Sequence, residues 1–167
     1  NSISNDFIDD INPATGEKIA TMPRSVSNDI QLAVNACEKS NPSWSKLTIN
    51  KRAEWLDKIA NELERRFEEI AKLESIDTGK PITLARSVDA TRSVSNFRFF
   101  AKLAKGVEKT QFEMNDAMNL VINKPVGIAG LITPWNLPLY LLSWKVAPAL
   151  VMGNCIIAKP SELTPLT

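Results

Sequence analysis

Apolar positions along the chain change their spacing several times, and each change predicts an element. Phe7, Ile8 and Ile11 surround a pair of aspartates, then Asn12-Pro13 and Thr15-Gly16 intervene before Ile19 and Ala20. This reads as a short strand, a turn and a second short strand. From Ser27, apolar residues recur at Ile30, Ala33, Val34 and Cys37. The spacing predicts an amphipathic helix with Ser27 as its N-cap and Asp29 favourably placed against the helix dipole. A second helical region from about Asn50 sets Leu56, Ile59, Ala60, Leu63, Phe67, Ile70 and Ala71 on one stripe, until Gly79 and Pro81 stop it. A third runs from about Thr83 to Ala104, ending before Gly106.

The period then drops to two. Met118, Leu120 and Ile122 alternate with Asn119 and Asn123, as in a strand with one covered face. After Lys124-Pro125 comes an apolar run from Val126 to Ile132, a break at Thr133-Pro134-Trp135-Asn136, a helix from about Pro138 to Met152, a stop at Gly153-Asn154 and a second apolar run from Cys155 to Ala158. Continuous apolar runs are characteristic of parallel strands buried on both faces, so this unit is a strand-helix-strand crossover, expected to be right-handed. The fold class is therefore α/β, with a Rossmann-like, doubly wound parallel sheet. Such a sheet needs more strands than these two, which predicts that the domain is incomplete here.

Composition narrows the function classes. With 44% hydrophobic residues the chain can bury a core, and its 20 basic and 19 acidic residues leave a net charge of +1. The charges are interleaved, so no long-range field gathers nucleic acid or anionic lipid, and neither is expected as a partner. There is no histidine and there are only two cysteines, which excludes a zinc site and Ser-His or Cys-His catalysis within the segment. Reduced thiols and the absence of an export pattern around Asp6, Asp9 and Asp10 point to a cytoplasmic protein. The apolar stretch from Val126 to Met152 is interrupted by Pro134, Asn136, Pro138 and Lys145, so it reads as soluble core and not as a membrane span.

The candidate chemistry lies where the two crossover strands end, because ligands of open α/β sheets collect at the carboxyl edge. At the second edge, Lys159-Pro160-Ser161-Glu162 sets a cation and a carboxylate three residues apart around a stiffening proline. A carboxylate there can accept hydrogen bonds from both hydroxyls of a ribose and would repel a 2′-phosphate, favouring NAD over NADP. The plain alternative is a solvated Lys-Glu pair in a surface loop. At the first edge, Asn136 stands at the mouth of a helix whose first turn is pre-set by Pro138. An uncharged amide N–H in that place suits an oxyanion donor. Asn is equally a preferred N-cap, and spacing alone favours the cap. Trp135 and Trp144 are ordinary core candidates, and Lys145 can be a snorkelling helix cation. The fingerprint G-x-G-x-x-G is absent, since Gly127 and Gly130 supply only G-x-x-G.

Longer stretches go further. Gly127-Ile128-Ala129-Gly130-Leu131-Ile132-Thr133-Pro134-Trp135-Asn136-Leu137-Pro138, then Ser143-Trp144-Lys145-Val146-Ala147-Pro148-Ala149-Leu150, and Gly153 through Glu162 resemble the aldehyde dehydrogenase superfamily, as do Asn12-Pro13-Ala14-Thr15-Gly16-Glu17 and Asp77-Thr78-Gly79-Lys80-Pro81 upstream. The likeness covers nearly the whole chain, and that superfamily binds NAD without G-x-G-x-x-G. The resemblance implies that residues 1–104 form N-terminal strands and helices of the NAD-binding domain, 105–125 an oligomerisation arm, and 126–167 the first strand-helix-strand unit of its sheet. It implies that Asn136 stabilises a tetrahedral thiohemiacetal oxyanion and that Ile132, Thr133, Pro134 and Trp135 line the nicotinamide half of the cofactor slot. Lys159, Ser161 and Glu162 would face the adenosine ribose, Lys145 would serve proton relay and positioning, and Leu137, Leu141 and Trp144 would line the aldehyde tunnel. The arm implies a homodimer or homotetramer and gives Met118, Leu120 and Ile122 a covering partner. Ser93 through Ala101 and Leu137 through Lys145 look most like the 2-aminomuconic or 2-hydroxymuconic semialdehyde group.

The family's nucleophilic cysteine and general-base glutamate belong to motifs this chain does not contain. Cys37 on a helix stripe and Cys155 opening a buried strand are expected to be inert, with raised pKa values. The chain alone is therefore expected to be inactive, while the parent protein oxidises an aldehyde to an acid through a thiolate adduct, hydride transfer to NAD and thioester hydrolysis. Two other readings stand beside this one. The first is a truncated, non-catalytic relative with a structural or oligomer-contact role, and the second is a plain nucleotide-binding module.

Overall fold

The computed structural model describes residues 2–107 and 110–167. The expected arm over 105–125 includes Glu108 and Lys109, which, like Asn1, lie outside the described residues. Strands β1 (Phe7–Ile11) and β2 (Lys18–Pro23) pair antiparallel across the predicted turn, with a register shift at Asp10/Ile11. Helices α1 (Ser27–Ser45), α2 (Ile49–Arg65) and α3 (Phe67–Thr78) follow. Next come a short turn α4 (Ile82–Leu84), a π-helical stretch (Ala85–Ala90) and α5 (Thr91–Ala104). The ribbon β3 (Thr110–Glu113) and β4 (Met118–Val121) precedes the unit β5 (Ile128–Ile132), α6 (Pro138–Val151) and β6 (Cys155–Lys159).

The expected helical stripe of α2 is buried where it should be. Leu56 and Ala60 meet Phe97 and Ala101 of α5 and Ala147 and Val151 of α6, which makes the crossover helix part of the main core. A second cluster joins Ile70 and Ala71 of α3 to Ala85 and Ala90 of the π stretch, with Leu139 of α6 packed against it. The strands β5 and β6 pair in parallel, in a register that sets Ile132 beside Lys159, so both strands end at one edge. The α/β crossover read from the apolar runs is thus present. At its rear, Gly153 takes φ +92°, where an added Cβ would lie 2.8 Å from Pro125 Cγ. Asn154 links the end of α6 to the start of β5 by donating to the Ala149 carbonyl (3.1 Å) and accepting from Gly127 N (3.0 Å).

Several expectations are corrected. The N-cap of α1 is Val26, not Ser27, because the Asp29 carboxylate accepts from Val26 N (2.9 Å) and also holds Ile3 N (2.7 Å). The helix extends to Ser45 past the end of its apolar stripe, since Trp44 Nε1 donates to the Leu150 carbonyl (3.0 Å) and tertiary contact supports a polar final turn. The second helical region is two helices, broken at Arg66 (φ −97°, ψ 16°). The break lets Leu56 and Ala60 face one cluster and Ile70 and Ala71 the other. The third region carries a π turn whose released carbonyls are used by side chains, with Thr91 Oγ1 donating to Arg86 O (2.8 Å) and Ser93 Oγ to Asp89 O (2.7 Å). Strand β5 begins at Ile128 and not at Val126, because Gly127 adopts φ +117°, outside the β region. Apart from these differences, the alternating face of Met118, Leu120 and the following Ile122 is more than half exposed within this chain, and its covering by a second subunit remains an expectation.

Candidate functional site at the carboxyl edge of the parallel strands

Two turns leave the shared edge of β5 and β6 and are tied together. Thr133 N donates to the Lys159 carbonyl (3.2 Å), extending the strand ladder by one bond, and Thr164 Oγ1 donates to the Trp135 carbonyl (3.2 Å). Thr133, Ser161 and Thr164 are buried and form the floor. Above it, Ile132 is 71% and Trp135 58% exposed, an open apolar surface at the strand end. Pro134 and Asn136 are exposed in the same turn. In the second turn Lys159 Nζ lies 2.9 Å from Glu162 Oε2, with both side chains largely in solvent. The Glu162 backbone N–H and the Lys159 ammonium hold the Glu162 carboxyl below its ordinary pKa. It is ionised and can accept hydrogen bonds from vicinal hydroxyls.

The competing role of Asn136 as a helix cap does not apply. The N-cap of α6 is Leu137, with no side-chain cap, and Pro138 occupies the first turn, where its missing N–H is no loss. Lacking an N-cap side chain, the helix is capped from elsewhere. The carboxylate of Glu74 on α3, completely buried, accepts from Leu139 N (3.2 Å) through Oε1. The Asn136 carbonyl meanwhile accepts from Lys80 Nζ (3.2 Å). Its side-chain amide is left at the exposed strand edge, where an N–H of that kind can donate to an oxygen that gains charge.

Leu137, the N-cap of α6, is followed at helical spacing by Leu141 and Trp144, with Trp144 half exposed and its ring tilted 40° against that of Tyr140 (ring centroids 5.6 Å apart). The adjacent row, Ser143, Ala147 and Val151, is buried. The Lys145 ammonium donates to the Ile132 carbonyl, so it clasps the end of β5 instead of extending into solvent. Cys155 is partly buried on β6 and burial raises its thiol pKa, in agreement with the expectation for that residue. Among the described residues there is no group of three or more His, Cys, Asp or Glu side chains able to hold a metal, and no helix is long and apolar enough to cross a membrane.

Three charged residues under the first turn were not singled out from the sequence for any site role. Glu74, Lys80 and Asp89 converge there, with Lys80 Nζ 2.8 Å from Asp89 Oδ1. Burial, and then the charge of Asp89, push the Glu74 carboxyl up to about 7, against the pull of Lys80. Asp77, one turn further along α3, is pushed up to about 6 mainly by burial and accepts from Leu166 N (2.9 Å). A signal was available, since Glu74 and Asp77 fall at the fourth and seventh positions after Ile70 and so continue the apolar stripe of α3. A carboxylate on a core stripe requires a partner.

The chain is similar to several known proteins. The 2-aminomuconic semialdehyde dehydrogenase of Homo sapiens is 48% identical over 163 residues, which is 96% of this chain and 34% of that protein. The 2-hydroxymuconic semialdehyde dehydrogenase of Pseudomonas sp. (strain CF600) is 41% identical, covering 99% of this chain and 35% of that protein. Among solved structures, PnpE from Pseudomonas sp. WBC-3 superposes with a TM-score of 0.95 at 38% identity, again over 99% of this chain and 34% of the other. A structure of PnpE in complex with nicotinamide adenine dinucleotide matches equally, with a TM-score of 0.95. The chain thus spans about a third of the length of its relatives. The Aldehyde dehydrogenase family model matches residues 1–167, the parallel pair and its two joined turns included: the chain belongs to the aldehyde dehydrogenase family.

Proposed function

We propose that the protein carrying this chain is an NAD-dependent aldehyde dehydrogenase, in which these residues supply the oxyanion donor and one wall of the dinucleotide site. The observation that carries the reading is the joining of the two turns at one sheet edge, with the Asn136 side chain not used as a helix cap. The residues fit the cofactor: the exposed Ile132 and Trp135 offer an apolar face, and the ionised Glu162 beside Lys159 offers a ribose acceptor. When bound, NAD supplies the hydride acceptor. Asn136 donates to the oxygen that becomes negative as a thiolate, from a part of the protein outside this chain, attacks the aldehyde. Lys159, Ser161 and Glu162 hold the adenosine ribose, and the Glu162 charge disfavours NADP. Thr133 and Pro134 shape the floor and bend of the nicotinamide half, and Lys145 fixes the strand end through the Ile132 carbonyl while offering a proton donor. Leu137, Leu141 and Trp144 line the aldehyde path.

The relatives named above favour a muconic-type semialdehyde as substrate. The uncovered face of β4 favours a homodimer or homotetramer built through the ribbon, and free Cys37 and Cys155 suit a reducing cytoplasm. The test is aldehyde-dependent NADH formation by the full-length protein. In it, Glu162→Gln keeps the shape but removes the charge, so KM for NAD is expected to rise about tenfold with kcat nearly unchanged, the value of one lost charge-assisted hydrogen bond. An unchanged KM for NAD would remove Glu162 from the ribose site, and no NADH at all would favour a non-catalytic relative.

A further inference from the structure

The buried trio beneath the first turn has no part in the function proposed above. Asp89 is completely buried, the Lys80 side chain is only 10% exposed, and the two meet at 2.8 Å. Buried ion pairs gain little stability over well-packed apolar residues, because desolvation offsets the attraction. Their use lies in fixing one arrangement. Here that arrangement is specific: the same Lys80 ammonium that Asp89 holds donates to the Asn136 carbonyl (3.2 Å). Three residues on, Glu74 takes Leu139 N, and its other oxygen accepts from Thr167 Oγ1 (3.2 Å). Pro138 has no N–H, so Leu139 is the first donor that α6 presents. The segment carrying Asn136 is thereby gripped on both sides, by Glu74 on α3 and by Lys80 in the loop after it, which Asp89 of the π stretch holds in turn. Residues 133–137 belong to neither strand nor helix; Thr133 N, the Trp135 carbonyl and the Leu137 carbonyl are bonded to Lys159, Thr164 and Leu141, and Lys80 is what takes the Asn136 carbonyl between them.

We propose that Lys80, oriented by Asp89, is a positioning residue for Asn136, fixing its peptide so that the side-chain amide meets the developing oxyanion from a single backbone position. The inference rests on the oxyanion role proposed for Asn136. A donor preorganised in this way needs no rearrangement when charge appears, and a misplacement of about 1 Å can cost on the order of a hundredfold in rate. Lys80 and Asp89 touch neither substrate nor cofactor in this scheme, and they act only through the peptide they hold.

The test is a mutant cycle in the full-length protein, with kcat for aldehyde-dependent NADH formation and Kd for NAD as readouts. Lys80→Met combined with Asp89→Asn removes both charges without stranding either. This pair is expected to lower kcat by on the order of tenfold or more with little change in Kd for NAD, and to cause no further loss when Asn136→Ala is already present. A merely structural role predicts instead that the two losses multiply. Multiplying losses, or a pair variant with wild-type kcat, overturns the positioning role and leaves the oxyanion role intact. An Asn136→Ala protein with normal kcat overturns the oxyanion role and this inference with it. Should the pair variant fail to fold, Lys80→Arg takes its place in the cycle, because it keeps the charge beside Asp89 but moves the donor. A loss of kcat that disappears in the Asn136→Ala background supports the proposal, and one that persists, or no loss, overturns it.

Discussion

Replacing Asn136 by alanine is expected to lower kcat of the full-length protein by about a hundredfold or more, with NAD bound as tightly as before. The magnitude is that of losing one preorganised donor to a developing oxyanion, about 3 kcal/mol of transition-state stabilisation. The selectivity of the effect follows from the structure. The Asn136 side chain caps no helix, since α6 begins at Pro138 with Leu137 as its N-cap, and Leu139 N is satisfied by Glu74. Its main-chain carbonyl, which alanine retains, carries the contact to Lys80. The substitution therefore removes an amide without unfolding the turn, and thermal stability should change little. Pre-steady-state measurement of NADH release separates the chemical step from product release. A variant that turns over within a few-fold of wild type would end the oxyanion assignment.

The largest effect on stability is expected at Arg52. It is 8% exposed, has no carboxylate partner among the described residues, and spends its guanidinium on main-chain carbonyls: Val151 at the end of α6 (2.7 Å), Ser45 at the end of α1 (3.3 Å), and Leu47. Burial pulls its pKa down, yet a guanidinium remains charged at any physiological pH. One side chain of α2 thus closes the C-terminal ends of two other helices, where unpaired carbonyls carry partial negative charge. Arg52→Met fills the same space but leaves those acceptors without donors. The expected cost is about 3 kcal/mol or more, from several charge-assisted bonds lost at once. It should appear as a lower denaturant midpoint with an unchanged slope. Arg52→Lys, able to reach one carbonyl at a time, should fall between. A methionine variant within about 1 kcal/mol of wild type would show that water replaces the guanidinium.

The parts of the fold that could be read from residue pattern are those in which apolar spacing and burial coincide. The stripe from Leu56 through Ala71, the period-two run at Met118, and the two apolar runs flanking α6 all became elements of the expected kind. What pattern could not show was settled by contacts distant in sequence. The last turns of α1 are polar and stand because Trp44 reaches Leu150, over a hundred residues away. The break at Arg66 leaves the hydrophobic period nearly undisturbed, so only packing against two separate clusters reveals it. In the site, the positions of Asn136, Lys159 and Glu162 at one edge followed from a parallel crossover, whereas the choice between cap and free amide depended on a carboxylate from α3. Lys80 was visible only as part of a helix-ending Gly-Lys-Pro, a context that conceals its charge pairing with Asp89.

The π stretch between Ala85 and Ala90 amounts to one surplus residue inserted into an otherwise α-helical run. Each α-helical residue turns the chain by about 100°, so removing a single residue there would swing everything on one side of the deletion by that angle relative to the other. With α5 anchored in the core by Phe97 and Ala101, the shift would fall on α4 and the loop before it. Lys80 would rotate away from Asp89 and Ala85 would turn out of the second cluster, while the main cluster kept its composition. A local defect in helical pitch thus works as an alignment shim, through which the length of one helix is matched to the placement of a distant amide.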